Sequence, residues 1–336
     1  MKKSLYLLGF FNFISLSFCA QQDPIFIEGE TQGTTYHINY YDSLNRDLSS
    51  EIIQLLTDFD QSVSTYNPSS IISRINRGEK NVIVDAYFTS CFKQAKEIWK
   101  NTKGTFDPTV YPLVNAWGFG PGKKESIEPQ KIDSILKFVG FQKIKLKGNS
   151  VCKKDPRVSL DFNAFAQGYS VDLVSLLIES KGITSYLVEI GGEVYAKGKH
   201  PTNSPWLIGI EQPMDNKSTS NPYQLIIELN ALGAATSGNY RRYFIENGVK
   251  YAHHIDPKTG YPTKNNLLSA SVFSRSCIVS DATATGLLVM GLNKSKVYLK
   301  KHPELDAILI YSDELGNYKI FETKGAKAIS VKLEEN

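Results

Sequence analysis

The sequence feature that most constrains the fold is the run 280–291, where small and apolar residues surround one charged side chain, Asp281. The run predicts a helix with Ser280 or Asp281 as its N-cap and Gly291 just beyond its end. In such a helix Asp281 and Thr285 lie one turn apart on the same face. A carboxylate and a hydroxyl at this spacing suit Mg²⁺, which prefers oxygen ligands. The alternative, which this run alone favours, is that Asp281 only caps the helix.

The composition is that of an ordinary globular protein. Of the 336 residues, 41% are hydrophobic and 21% are charged, which is enough for a substantial core in one large domain or two smaller ones. The formal charge of +4 includes Lys2 and Lys3 of an expected leader. The mature surface is therefore only mildly basic and gives no reason to expect nucleic-acid binding.

The N-terminus has the pattern of an export signal. Lys2 and Lys3 precede the apolar run 5–18, and polar residues follow directly. This run is too short to predict a membrane span. The other cysteines after Cys19 have no metal-like spacing, so the sequence does not predict a disulfide-dense scaffold.

Cys19 follows Leu-Ser-Phe, which is similar to a bacterial lipobox except that Phe18 stands where a small residue is usual. We expect residues 1–19 to be the export signal and residues 20–336 to form one domain. Lipidation of Cys19 would anchor the protein on the periplasmic side of the inner membrane. Cleavage by a signal peptidase near Cys19 and Ala20 is the alternative.

Helices and strands are interspersed along the remaining chain. The patterns predict helices at 47–63, 71–76, 89–101, 129–139 and 162–180, and strands at 25–40, before Asp161, and at 186–190, 206–210, 224–229, 268–273, 306–311 and 318–321. Because these strands are expected to pair in hairpins, the order favours an α+β fold over a regular parallel α/β sheet.

Two glycine-rich or acidic stretches could contact a phosphorylated ligand. Residues 161–168 place Asp161 at a predicted helix start with small residues behind it, so a ligand could approach the backbone. The alternative is that Asp161 is a plain N-cap. Gly191 and Gly192 end a strand, where the main chain can turn sharply or lie against a ligand.

Three further stretches add polar and aromatic groups. Residues 235–242 supply hydroxyls and two guanidinium groups, Arg241 and Arg242, that can hold phosphate. His253 and His254 precede a turn, and either is a candidate general base, although such a pair is more often on the surface. The aromatic and glycine-rich stretch 105–122 is of the kind that lines a site, although Trp117 could simply pack there.

Together these motifs resemble the ApbE family of bacterial flavin transferases, the FAD:protein FMN transferases, over nearly the whole mature chain. The matching motifs are Gly33-Thr34, 64–66, 73–76, 106–110, 160–164, 167–169 with Asp172, 191–193, 236–240, 253–260, and Asp281-Ala282 with Thr285.

The resemblance implies a single α+β domain related to the T-fold, with mixed, mainly antiparallel sheets and packed helices. It implies that FAD is the substrate and that Mg²⁺ is held by Asp281, Thr285 and the carbonyl near Ala164. The implied FAD contacts are Gln32, Tyr66, Thr105, Phe106, Asp107, Asp161, Gln167 and Ile255. This chain departs from the family pattern at Gln32, where Met is common, and at Gln167, where Lys is common.

The implied reaction is Mg²⁺-dependent transfer of FMN from FAD to a threonine hydroxyl of an acceptor protein, with release of AMP. Mg²⁺ would neutralise the pyrophosphate while a base removes the hydroxyl proton. His253 is favoured over His254 as that base because it lies three residues before Asp256, as in the family motif. The acceptors implied are subunits of the sodium-pumping NADH:quinone reductase and of the Rnf complex.

Two alternative functions remain open. If water replaces the acceptor hydroxyl, the same site is an FAD pyrophosphatase that yields FMN and AMP. A protein of another class, an exported lipoprotein that only binds FAD, could retain the same residues. The pair Asp281 and Thr285 argues against pure binding.

Overall fold

The computed structural model describes residues 23–121, 127–200, 203–213, 223–239, 243–246 and 249–331. The helices are α1 Ser49–Val63, α2 Ile71–Asn76, α3 Ala86–Asn101, α4 Tyr111–Ala116, α5 Pro129–Leu136, α6 Ala166–Ser180, α7 Cys277–Met290, α8 Leu292–Lys301 and α9 Lys324–Ile329. Short 3₁₀ helices cover Pro108–Val110 and Phe141–Lys143.

The strands are β1 Ile25–Thr31, β2 Thr34–Tyr40, β3 Ile144–Lys147, β4 Ser150–Lys153, β5 Tyr186–Ile190, β6 Glu193–Lys197, β7 Trp206–Glu211, β8 Tyr223–Leu229, β9 Leu232–Gly238, β10 Tyr243–Glu246, β11 Val249–Ala252, β12 Leu267–Ser274, β13 Asp306–Ser312, β14 Tyr318–Glu322 and β15 Ser330–Val331. Most predicted helices and strands are confirmed to within a few residues.

One large sheet organises the molecule. Its strand order within the described residues is β1-β2-β5-β6-β9-β12-β13-β14, and every neighbouring pair is antiparallel. The small sheet β15-β8-β7 packs on one face through apolar side chains, among them Trp206, Ile227 and Phe273. Helices α1 and α6 cover the other face at the β2 and β5 end. The predicted α+β class with mainly antiparallel sheets is therefore confirmed.

Helix α7 lies at the centre of this packing and is buried along most of its length. It packs against β9, β12 and α6, which explains why its sequence is so rich in small residues. At the α6 contact, a Cβ on Gly168 would lie 2.6 Å from the Cys277 carbonyl oxygen. Only glycine allows the two helices to approach this closely. Among the described residues, no helix combines the length and the apolar character needed to cross a membrane.

The prediction of one strand over 25–40 was wrong, because the segment is the β1–β2 hairpin. Thr31 pairs with Thr34, and Gln32 and Gly33 form the two-residue turn with φ values of 52° and 74°. Positive φ at both central positions is the geometry whose twist matches an antiparallel hairpin. The turn was missed because Gln is uncommon at such a position.

The predicted cap of α7 was also wrong. The helix begins at Cys277 with Ser276 as N-cap, so Asp281 lies inside the helix rather than at its start. Gly291 does lie just beyond the end, as predicted, with φ of 74°. The helix extends upstream because the Asp172 carboxylate of α6 accepts hydrogen bonds from its first N–H groups.

Residues 158–161 do not form a strand, contrary to the prediction that a strand ends at Asp161, and the following helix begins at Ala166 rather than at residue 162. The Asn76 side chain replaces a neighbouring strand: its Nδ2 donates to the Leu160 carbonyl and its Oδ1 accepts from the Leu160 N–H. Asp161 accepts from the Asn163 N–H in a local turn. It is therefore not the N-cap of α6, a position held by Phe165.

Candidate functional site

A cavity of about 290 Å³ lies between the central helices and two long loops. Every predicted site residue except Gln32 lines it. These residues are Tyr66, Thr105, Phe106, Asp107, Asp161, Ala164, Gln167, His253, Ile255, Asp281 and Thr285. Side chains that are far apart in sequence thus meet at one place in the fold.

Asp281 and Thr285 present oxygen atoms from α7 to this cavity. Asp281 is buried, and its Oδ2 accepts a 3.1 Å hydrogen bond from the Gly168 N–H. Burial raises the pKa of the Asp281 carboxyl, and the nearby Asp172 carboxylate adds to that rise. A bound cation would oppose both effects, so the carboxylate suits a cation ligand.

The other oxygen atoms that could coordinate a cation beside Asp281 are those of Thr285 and Ala164. The Thr285 hydroxyl lies 3.2 Å from the Ser237 hydroxyl of β9. Ala164 lines the cavity from the turn just before α6. In the described parts of the chain no group of three or more His, Cys, Asp and Glu side chains could hold a metal ion. Any cation here would depend on hydroxyl, carbonyl and ligand oxygens beside the single carboxylate of Asp281.

Asp172 of α6 fixes the start of α7. Its carboxylate accepts hydrogen bonds from the Ser276 hydroxyl at 2.7 Å and from the N–H groups of Cys277 and Ile278 at 2.7 and 3.0 Å. These bonds satisfy otherwise unpaired N–H groups and place negative charge at the positive end of the helix dipole. The cap therefore sets where Asp281 stands, one turn further along.

His253 and His254 both line the cavity, and their ring centroids are 3.9 Å apart. His253 is half-buried, and its ring meets Phe119 edge to face at 6.2 Å. Burial lowers the pKa of His254 well below its usual value, and the neighbouring His253 contributes to this. His254 is therefore a neutral imidazole near neutral pH.

Asn239 determines the tautomer of His254. The Asn239 Nδ2 donates to the Leu267 carbonyl, so its Oδ1 faces His254 Nδ1 at 3.0 Å. Nδ1 must then carry the proton, and Nε2 is left as an acceptor. The sequence motif contained Asn239 but gave no sign of this role.

Trp117 joins the two loops that form the wall beside His253. Its indole N–H donates to the Gly260 carbonyl at 2.9 Å, and its ring packs against Tyr261 and in the cluster that includes Ile255. The turn itself is held by the bridge between Ile255 and Pro262. Trp117 does not itself line the cavity; it is buried behind it and ties the loop after α4 to the turn that follows His253.

The two carboxylates among the predicted FAD contacts differ in how much hydrogen-bond acceptor capacity each has left for a ligand. Asp107 is buried, with Oδ1 accepting from Thr109 and Oδ2 from the Phe141 N–H, so its carboxylate is occupied by the protein. Burial raises the pKa of Asp161 to about 6. Asp161 retains acceptor capacity beyond its bond to the Asn163 N–H, because a carboxylate can accept several bonds.

Gln32 lies in a separate groove of about 800 Å³ that adjoins the cavity. Tyr66, Asn163 and Gln167 line both spaces. The Gln32 Nε2 donates to the Ser170 hydroxyl at 2.6 Å, while its buried Oε1 has no hydrogen-bond partner in the structure. Tyr66 is 58% exposed at the junction.

Some predictions cannot be compared with the structure. Arg241 and Arg242, expected to hold phosphate, lie outside the described residues, as does Cys19. Gly191 and Gly192 form the turn between β5 and β6, and Gly191 lines the cavity. No site role was predicted for Gly168 or Asp172, although a glycine in the first turn of a helix is a signal of close packing.

Comparison with known proteins gives consistent matches along the chain. A model of the ApbE family matches residues 32–309. The FAD:protein FMN transferase of Haemophilus influenzae is 36% identical over 330 residues, covering 94% of this chain and 93% of that protein. The flavin transferase ApbE from Vibrio cholerae superposes with a TM-score of 0.83 at 33% identity, covering 92% of this chain and 99% of that one. The apo form of the Pseudomonas stutzeri flavinyl transferase ApbE gives 0.83 at 31% identity, covering 92% and 97%.

Proposed function

This chain belongs to the ApbE family, and we propose that it is an FAD:protein FMN transferase, which moves FMN from FAD to an acceptor protein. The observation that carries the proposal is that Asp281, Thr285 and His253 line one and the same cavity. A cation-binding pair and a general base are the groups that transfer from a pyrophosphate requires.

The cavity and the adjoining groove together provide space for FAD, a long substrate with two nucleotide halves. The cavity of about 290 Å³ opens past Tyr66, Asn163 and Gln167 into the groove of about 800 Å³. Aromatic and apolar side chains, including Phe106 and Ile255, line the cavity. With the pyrophosphate beside Asp281, one half of FAD would occupy the cavity and the other half would extend toward the groove.

We propose that the enzyme depends on Mg²⁺ held by Asp281, Thr285 and the Ala164 carbonyl. The donor set fits, because all three residues line one cavity and supply oxygen atoms. A bound Mg²⁺ would supply charge neutralisation at the pyrophosphate oxygens. Gly168 and Asp172 would serve as its support: the first orients the Asp281 carboxylate and the second fixes the helix that carries it.

His253 is the proposed general base. It would accept the proton from a threonine hydroxyl of the acceptor while that oxygen forms a bond to the FMN phosphorus. The pyrophosphate P–O bond to AMP breaks, so the products are a phosphoester-linked FMN, AMP and a proton. Phe119 packs against the ring, and Trp117 secures the loop behind it.

We also propose export and membrane anchoring through Cys19. The support is the sequence alone: two lysines, an apolar run and a lipobox-like segment. An exported transferase would meet acceptors on that side of the membrane, and subunits of the sodium-pumping NADH:quinone reductase and of the Rnf complex are the proposed acceptors.

The test uses the mature protein with FAD and Mg²⁺, with and without an acceptor domain, and a matched acceptor whose target threonine is replaced by valine. AMP release and acceptor mass are followed together. A flavin adduct only on the threonine form confirms the proposal. AMP without an adduct would indicate a pyrophosphatase, and intact FAD under all conditions would indicate a binding protein.

A further inference from the structure

The turn between β5 and β6 forms part of the wall of the cavity. Gly191 and Glu193 both line the cavity, and Glu193 is buried. Ile190 pairs with Glu193, so Gly191 and Gly192 make a two-residue hairpin turn with φ values of 68° and 104°. Glycine adopts such values readily, but two successive glycines also give the backbone many other conformations. Contacts from outside the turn are therefore what hold it in one conformation.

Glu189 makes such a contact from the other face of the sheet. On β5 it alternates with the buried Val188 and Ile190, and unlike Gly191 it does not line the cavity. Its Oε1 accepts a 2.6 Å hydrogen bond from the Gly192 N–H. The β5–β6 register ends at the pair before the turn, so the carboxylate satisfies an N–H group that the strand ladder does not reach.

Strand β2 holds both the Glu189 side chain and the turn. His37 Nδ1 lies 2.7 Å from Glu189 Oε2, and the imidazole is the donor because a carboxylate oxygen accepts. The two residues are direct partners in the β2–β5 register, and the Phe26 ring stacks on the imidazole at 6.3 Å. The Gly191 N–H donates to the Thr35 carbonyl at 3.1 Å. The turn is thus tied to β2 once directly and once through Glu189.

The position of the turn also decides where the Gln167 side chain lies. Gln167 lines both the cavity and the adjoining groove. A Cβ on Gly191 would lie 2.6 Å from the Gln167 Nε2 and 3.0 Å from the Thr34 Cγ2. The Gln167 amide therefore occupies the space that a side chain at Gly191 would fill. A shift of the turn would displace Gln167 and Glu193 together, in the wall of the cavity.

We propose that Glu189 is a positioning residue for FAD: it fixes the turn 191–193, and through the turn it sets the wall of the cavity and the place of Gln167. The inference rests on the proposed transferase function, in which FAD occupies the cavity and the groove. The proposed cation ligand Asp281 and the proposed base His253 lie on other segments, α7 and the loop after β11. Loss of Glu189 should therefore weaken FAD binding and leave the chemical step nearly unchanged.

The experiment compares two substitutions at this position. Glu189→Leu removes both hydrogen bonds, whereas Glu189→Gln retains an oxygen that can accept from the Gly192 N–H. We expect the KM for FAD, and the Kd measured by flavin fluorescence, to rise about tenfold or more for Glu189→Leu, the worth of one hydrogen bond to a charged group. For Glu189→Gln both should rise less than about threefold. The kcat should change less than about twofold in either variant.

Glu179→Leu is the matched control. Glu179 is also a partly exposed glutamate with two partners, the Tyr186 hydroxyl and the Lys197 Nζ. It lies near the opposite end of α6 from Gln167, about 18 Å away along the helix axis. This substitution should lower the free energy of unfolding without changing the KM for FAD.

Hydrogen exchange of the Gly192 amide, followed by NMR, tests the structural step in the absence of FAD. Exchange should be faster in Glu189→Leu and close to the wild-type rate in Glu189→Gln, and a raised KM in the first variant alone supports the proposal. Unaltered exchange or an unaltered KM for FAD in Glu189→Leu would overturn it, as would an equal rise in KM for Glu189→Gln or for Glu179→Leu. If the wild-type protein neither binds nor consumes FAD, the proposed function itself fails.

Discussion

The Gly168 N–H donates a 3.1 Å hydrogen bond to the Asp281 carboxylate, although the two residues are 113 positions apart. The bond links the first turn of α6 to the second turn of α7 and orients a carboxylate in the cavity. It exists only because a side chain is absent at Gly168, so the packing of α6 on α7 and the proposed cation binding depend on the same contact.

Gly168→Ala tests that dependence. The added Cβ would lie 2.6 Å from the Cys277 carbonyl oxygen and 2.8 Å from the Asp281 Cβ, and the backbone atom cannot rotate away. We expect the free energy of unfolding to fall by about 1–3 kcal/mol and the affinity for Mn²⁺, used as a probe for Mg²⁺, to fall with it. Denaturant titration and Mn²⁺ binding measure the two effects. Ser180→Ala, at the exposed end of α6, should change neither.

Asp281→Asn should abolish Mg²⁺-dependent turnover, because it removes the charged member of the proposed ligand set while preserving size. Mn²⁺ binding, followed by calorimetry, should be lost in parallel. Asp133→Asn, on the exposed face of α5, is the control for loss of a carboxylate. Undiminished turnover in the Asp281 variant would refute the proposed cation site.

His253→Ala should slow transfer by roughly 10²- to 10⁴-fold, the usual contribution of a general base, with a much smaller change in FAD affinity. His254→Ala is the informative comparison, since its Nδ1 is committed to Asn239 and it should reduce the rate less. Single-turnover rates and FAD binding are measured separately. Equal losses of rate and binding in the His253 variant would count against its role as base.

Trp117→Phe removes the donor to the buried Gly260 carbonyl while keeping an aromatic ring. We expect a lower kcat with little change in the KM for FAD, because the turn that carries His253 loses its tether. The unpaired carbonyl should also cost about 1–3 kcal/mol of stability. Trp206→Phe, in β7, loses a comparable bond to the Lys197 carbonyl of β6 and should reduce stability alone. A similar fall in kcat for both variants would contradict the positioning role of Trp117.

FAD affinity should depend on the protonation of Asp161. Burial raises the pKa of this carboxyl to about 6, so it is an ionised acceptor above that pH and becomes protonated as the pH falls through it. We expect the KM for FAD to rise between pH 7 and pH 5. Asp161→Asn should weaken FAD binding at pH 7 and flatten the pH profile. A profile that persists unchanged in this variant would assign the titration to another group.

Much of the fold was predictable because it is determined locally. Amphipathic spacing and alternation located α1, α2, β5 and the strands near the C-terminus, since one face of each must be buried. The predictions were wrong where the backbone hydrogen bonds are made by a side chain from a distant part of the sequence. Asn76 satisfies the main chain of Leu160 and imitates a strand. Asp172 caps α7 from another helix and so moves its start four residues upstream of Asp281.

The sequence by itself determined the residue types of the site: an acid and a threonine one turn apart, a pair of histidines and a family of ordered motifs. Only the tertiary structure decided what each group can do. The burial of Asp281 and the tautomer that Asn239 imposes on His254 both depend on neighbours from other elements. Desolvation and hydrogen bonding act through space, and a linear pattern does not contain the distances on which they depend.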